Sequence, residues 1–168
     1  EEDLDKCIVN QILLLMESKE QSVPVTINLS MTAIASGDFR AWLQTRVKQS
    51  NIKPELLAFS ATAYSAAKDL STFTDFSLFI QSIGSKTLLK RYSSDIIAID
   101  LLKDLHVDYI RLARDLTTDI GNNSNKSTLL DIMNEVANLL DIKVIAEGVV
   151  EDEDFEHVKN AEIYGIGR

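Results

Sequence analysis

The 168 residues hold a single cysteine, Cys7. No disulfide can close within the chain, so a small stapled scaffold is excluded. Cys7 falls in an amphipathic helical pattern and reads as a small apolar core or boundary residue. The reducing cytoplasm is the consistent compartment. Long apolar runs are also lacking. "ILLLM", Ile12 to Met16, falls far short of the roughly 18 residues that span a bilayer, and the residues carry no signal-peptide pattern. Positive charge is scarce: 17 Lys and Arg stand against 26 Asp and Glu, a formal −9. That balance disfavours nonspecific contact with DNA, RNA or an anionic membrane, yet leaves room for a local basic pocket. There is no glycine-rich phosphate loop, no Cys/His cluster with metal-site spacing, no Gly/Ser/Pro-rich linker and no internal repeat.

What is present is an ordinary globular composition, 45% apolar and 26% charged, in a length that suits one domain. Its periodicity alternates. Leu4, Ile8, Ile12 and Leu15 keep helical spacing. Phe39, Trp42, Leu43, Arg46 and Val47 form a second helical pattern, with Ser36 at its N-cap. Leu70, Phe73, Phe76 and Ile80 form a third, ended near Gly84. Ile97, Leu101 and Leu105 mark another. Leu129, Ile132, Met133, Val136, Ala137 and Leu140 mark a strong one after the loop "GNNSNKS". Between them lie six short β-rich runs: "VPVTINLS" from Val23, "LLAFSAT" from Leu56, "KTLLKRY" from Lys86, "VDYIRLA" from Val107, "KVIAEGV" from Lys143 and "IYGIG" from Ile163. Strands alternating with helices predict an α/β fold with a mostly parallel sheet covered on both faces. A closed (β/α)₈ barrel takes about 250 residues. The expectation is therefore an open sheet, or most of a barrel that lacks one end. The chain opens at Glu1 without a methionine and reads as part of a longer protein.

In parallel α/β folds function gathers at the carboxyl ends of strands. Those positions hold Asn28, Ser60, Thr62, Lys90, Arg91, Arg111, Glu147 and Tyr164. "VTINLS", "VDYIRLA" and "KVIAEGV", in this order and spacing, resemble the EAL-domain family of cyclic di-GMP phosphodiesterases. The likeness runs from about Asp3 to Gly167. It implies a single degenerate EAL-like domain over 1–168: a (β/α)₈ TIM-type barrel whose N-terminal strand is missing from this chain. The family's two-cation chemistry needs oxygen ligands at strand ends. On this resemblance, Asn28 and Glu147 retain two of them. Ser60 stands where the family has Glu, Lys90 and Arg91 stand for its paired Asp, Arg111 for its Lys, Ala113 for the Asp two residues on, and Val150 for a second Glu. Tyr164 falls near the family's Gln. Two cations would meet like charge here, at about 4 kcal/mol per close pair, so neither a bound metal nor hydrolysis is expected.

The resemblance then implies an inactive domain that acts as a cyclic di-GMP receptor in bacterial signalling. Asn28, Lys90, Arg91, Arg111, Glu147 and Tyr164 would be its ligand-binding residues. Guanidinium and ammonium groups would meet the phosphates in place of cations. The alternative is a protein-interaction domain that no longer binds nucleotide, since fold alone guarantees no function. An active phosphodiesterase ranks below both. The resemblance also implies a protein partner and a parent with GGDEF-type or membrane sensor domains. It leaves a homodimer open. Plainer readings stand beside these. Glu147 and Arg111 read equally as a structural ion pair, Asn28 as a turn cap, and Lys90 and Arg91 as solvated side chains. His106 precedes a strand and so lies away from the site, and His157 reads as a solvent-facing helical residue. The acidic run Glu151 to Glu156 suits a helix N-terminus and reads as a solvated face.

Overall fold

Short β-branched and aliphatic runs become strands where each buries one or both faces. The computed structural model describes residues 1–19 and 23–166, Ile166 by its backbone alone. It contains the strands β1 (Val25–Asn28), β2 (Leu57–Thr62), β3 (Lys86–Tyr92), β4 (Tyr109–Leu112), β5 (Lys143–Glu147) and β6 (Tyr164–Ile166). All pair in parallel, in the order β1-β2-β3-β4-β5-β6. The expected α/β architecture with a parallel sheet is what forms, but the helices cover one face of it rather than both, since the curved sheet turns its other face inward. Gly167 of the last expected strand lies outside the described residues.

The connections are α1 (Glu2–Ser18), α2 (Met31–Ala35), α3 (Gly37–Gln49), α4 (Ala63–Ala66), α5 (Leu70–Ser82), α6 (Leu102–Leu105), α7 (Arg114–Thr117), α8 (Ser124–Leu139) and α9 (Asp152–Asn160). Side chains alternate along a strand. Ile27, Phe59, Leu89, Ile110, Leu112, Val144 and Ala146 therefore share one face. They are buried in a core with Phe39, Phe73, Phe76, Leu130 and Met133 of the helices. The opposite face carries the polar residues of the strand ends. Ser36 caps α3 as expected, its hydroxyl accepting from Phe39 N at 3.1 Å. Gly84, with φ of 81°, follows α5 in the left-handed conformation that glycine adopts without penalty.

Several expected details differ. The stripe Leu4, Ile8, Leu15 is exposed, and α1 instead buries Asp5, Val9, Leu13 and Met16. The helix is apolar on two faces, so periodicity alone leaves the choice between them open. A polar contact selects the second: Ser30 Oγ donates to the Asp5 carboxylate at 2.5 Å and accepts from Ala33 N at 3.2 Å. Cys7, expected at a core or boundary position, is exposed for the same reason. On α8, Met133 and Ala137 are buried as expected, but Leu129 and Ile132 are exposed and Leu130 is buried in their place. The pattern around Ile97 to Leu105 resolves into a 3-10 turn at Ile99–Leu101 followed by the short α6. "GNNSNKS" is only partly loop. Asn123 accepts from Lys126 N at 3.2 Å and starts α8 at Ser124.

The acidic run does open α9, with one exception to the solvated reading. Asp154 is buried, and its carboxylate accepts from Asp119 N at 3.1 Å and from Gly121 N at 2.8 Å. Gly121 is needed there, since a Cβ would stand 2.5 Å from the Glu153 backbone. His157 is half-buried, its Nε2 3.1 Å from Asp131 Oδ1, and joins α9 to α8. Asp154→Ala strands two backbone N–H groups in the interior, each costing about 1–3 kcal/mol. Urea unfolding is expected to show a loss of roughly 2–4 kcal/mol, with Asp154→Asn losing less.

Candidate functional site

Parallel strands in sequential order bring their carboxyl ends to one rim. By strand alternation and register, Asn28, Ser60, Thr62, Lys90, Arg111 and Glu147 all stand on the face that carries no helices. Asn28 Oδ1 accepts from the hydroxyl of the buried Ser60 at 2.7 Å. The amide therefore ties β1 to β2. On β3, Thr62 is in register with Lys90. The β3–β4 register then shifts between Leu89 and Tyr92, and Arg91 takes a φ of 52°. That left-handed conformation costs a non-glycine residue about 1–2 kcal/mol. Its effect is to leave Lys90 half-buried on the rim face while Arg91 is exposed beside it.

The half-buried Lys90 lies next to Arg111 in the β3–β4 pairing. Burial, reinforced by the Arg111 and Arg91 guanidiniums and partly opposed by Glu147, holds its ammonium below the usual 10.5. Arg111 Nε lies 3.2 Å from Glu147 Oε2. The pair is close but poorly aligned: Nε is shielded from solvent and makes no hydrogen bond among the described residues. Behind β3, Tyr92 is fully buried. Its phenol is pushed up to about 12, first by burial and then by Asp100.

Four of the six sequence-expected site residues thus share this face: Asn28, Lys90, Arg111 and Glu147. Arg91 stands exposed beside Lys90 at the same strand end. Tyr164 stands on the same face as these four, one layer below Glu147. It is in register with Ile145, two residues short of Ile166, which faces Glu147. Its ring lies 5.7 Å from Lys143 Nζ and lines a cavity of about 490 Å³ with Lys86, Leu88, Tyr109 and Ile145, the layer beneath the rim. A three-residue strand with a central glycine carries too little periodicity to fix register from sequence.

Sequence reasoning missed the segment that braces Glu147. Thr117 Oγ1 donates to the Glu147 carbonyl. The Arg114 side chain crosses Gly148, where a Cβ would stand 2.9 Å from Arg114 Nε. Gly148 has a φ of 77°, so its lack of a side chain serves both the turn and this close approach. Thr117 and Arg114 lie 30 or more residues from Glu147 in sequence, and no local pattern announces such pairs.

A family model described as the EAL domain matches residues 1–166. The chain belongs to the EAL-domain family. It is 22% identical over 143 residues to a curated relative from Borreliella burgdorferi named cyclic di-GMP phosphodiesterase PdeA. That match covers 84% of this chain and 21% of the relative, so the chain spans about a fifth of it. Among solved structures, the Xanthomonas citri FimX EAL domain in complex with c-diGMP superposes with a TM-score of 0.91 at 15% identity. The superposition covers 98% of this chain and 67% of that one. The apo S helix-GGDEF-EAL chain of Vibrio cholerae LapD gives 0.85 at 17% identity, over 99% of this chain and 41% of that one. These likenesses establish the fold: the six parallel strands form part of an EAL barrel.

The cations implied by the resemblance can be tested against the donors on this rim. A pair of hard divalent ions needs several oxygen ligands, mostly carboxylates. Among the described residues the rim offers one carboxylate, Glu147, already engaged by Arg111. The amide oxygen of Asn28 is taken by Ser60. Among the described residues no group of three or more His, Cys, Asp or Glu could hold a metal ion. The donor set does not fit a two-cation centre.

A lysine held below its ordinary value destabilises the fold while charged. Below its folded-state value the penalty is complete. It fades as pH rises towards 10.5, because the folded state sheds the proton before the unfolded state does. Lys90→Gln is therefore expected to raise the unfolding midpoint at pH 7. That advantage should shrink when melting curves are recorded near pH 10.

Proposed function

We propose that the domain is a metal-independent receptor for cyclic di-GMP that holds the nucleotide without cleaving it. The observation that carries this reading is the rim chemistry. Lys90, Arg91 and Arg111 gather at the strand ends, and Glu147 is the one acidic side chain among the rim residues. Guanidinium and ammonium donors bind phosphodiesters through charge-assisted hydrogen bonds, and arginine presents a planar fork that matches two oxygens. The ligand of the FimX complex supports cyclic di-GMP as the nucleotide. The name of PdeA is a reminder that the family includes phosphodiesterases. On this reading Asn28 supplies a polar rim contact and Tyr164 stays outside the phosphate site. The reading carries with it a cytoplasmic domain of a bacterial signalling protein, with GGDEF-type neighbours of the LapD kind and a protein partner that senses occupancy. Among the described residues no helix is long and apolar enough to cross a membrane.

A second reading has its own support. The outward face of α8 exposes Leu129, Ile132 and Leu139, the last at 85%. Exposed apolar residues along one helix suit a protein-contact module. Calorimetric titration of cyclic di-GMP in EDTA-containing buffer separates the two. Saturable micromolar binding, weakened about tenfold or more by Arg111→Gln or Lys90→Gln, is the expected result. Absence of heat at high nucleotide concentration would move the assignment to the contact module. Magnesium- or manganese-dependent release of linear product by the purified protein would overturn both.

A further inference from the structure

We infer that Glu147 is a built-in competitor for the phosphate site: its carboxylate occupies the face of Arg111 that a phosphodiester would take. This inference rests on the receptor reading and adds to it what sets the affinity. The Nε–Nη2 edge of a guanidinium is one of the two edges that grip a phosphate with two parallel hydrogen bonds. On Arg111 the Nε half of that edge is closed. Nε is shielded from solvent, and Glu147 Oε2 stands 3.2 Å from it. Yet the angle is too poor for a hydrogen bond, so the donor stays unsatisfied. The carboxylate supplies charge without supplying the bond.

Its surroundings explain why Glu147 stays where it is. The Glu147 backbone is fixed by pairing with β6 and by Thr117 Oγ1 on its carbonyl. Arg114 lies across the next residue, Gly148. The backbone is therefore held while the carboxylate remains about one-third exposed. A phosphate arriving at Lys90 and Arg111 would meet this carboxylate as a like charge. It would have to turn it away before reaching Nε. Once it is turned away, the phosphate gains a properly directed bond to a donor that had none.

The prediction runs against the usual effect of mutating a binding-site residue. Glu147→Gln keeps the shape and removes the charge. It is expected to tighten cyclic di-GMP binding in EDTA roughly tenfold, or about 1.4 kcal/mol. The gain should depend on Arg111. In an Arg111→Gln background, adding Glu147→Gln should change affinity by less than about twofold, the non-additivity of two groups in contact. Glu147→Ala provides a second route to the same result should the glutamine amide bond to Arg111 itself.

If wild type binds and both Glu147 variants bind equally or more weakly, Glu147 holds the ligand or positions Arg111, and the competitor role is wrong while the receptor reading survives. A gain that persists undiminished without Arg111 would reduce the effect to general electrostatics and also overturn the role. If neither wild type nor the Glu147 variants bind, the receptor reading fails, and this inference fails with it.

Discussion

Parallel pairing of consecutive strands is the constraint from which the rest follows. Once Val25–Asn28 pairs with Leu57–Thr62 in parallel, and each later strand joins at the next edge, every amino end lies on one side and every carboxyl end on the other. Each connection must then travel back along the sheet, and it is the helices that do so. They cover one face and leave the alternate residues on the other. Residues as far apart in sequence as Asn28 and Glu147 thereby share a rim, and a group at position i of any strand has i−2 directly below it. A one-residue slip would send Lys90, Arg111 or Glu147 into the helix-covered core. The aliphatic residues between them, Leu89, Ile110 and Ala146, hold the register because they cannot be exposed without loss.

This constraint also explains which features could be read from the sequence. Strand–helix alternation is written in periods of two and near four, so the order of elements was legible, as was the set of strand ends. Asn28, Lys90, Arg111 and Glu147 could be placed together because carboxyl ends converge whatever the details. The face of α1 could not be read. "ILLLM" makes both sides apolar, and Asp5 meeting Ser30 across 25 residues decides which one packs. Tyr164 could not be placed because its strand is too short to fix its own register. The role of Asp154 was hidden for a third reason. A carboxylate in an acidic run looks solvated, and only the fold brings the Asp119 and Gly121 amides to it.

The Arg111–Glu147 contact shows how little a short distance says about an interaction. At 3.2 Å the charges attract, but the side chains are 26% and 32% exposed, and exposed or half-exposed pairs contribute about 0–1 kcal/mol. The missing hydrogen bond removes the directional part as well. An ion pair selected for stability would align its fork on the carboxylate. This one leaves a shielded donor unsatisfied, a cost of about 1–3 kcal/mol that alignment would remove.

Three departures from local preference therefore meet at one rim. Lys90 is charged where burial and two guanidiniums disfavour charge, Arg91 sits in a left-handed conformation, and Arg111 Nε lacks an acceptor. None of them is needed to build the sheet. Lys90 could be an apolar residue and Arg91 a glycine, and the neighbouring strands would pair as before. Strained and unmatched groups are held by the packing around them, and they cluster at ligand sites. A dianionic ligand has the chemistry to offset them. Its oxygens would neutralise the rim cations and supply Nε with an acceptor. A metal ion would do the reverse on each count, adding positive charge beside Lys90 and competing with Arg111 for the one carboxylate. The same sign of charge that argues against cations at this rim argues for phosphates.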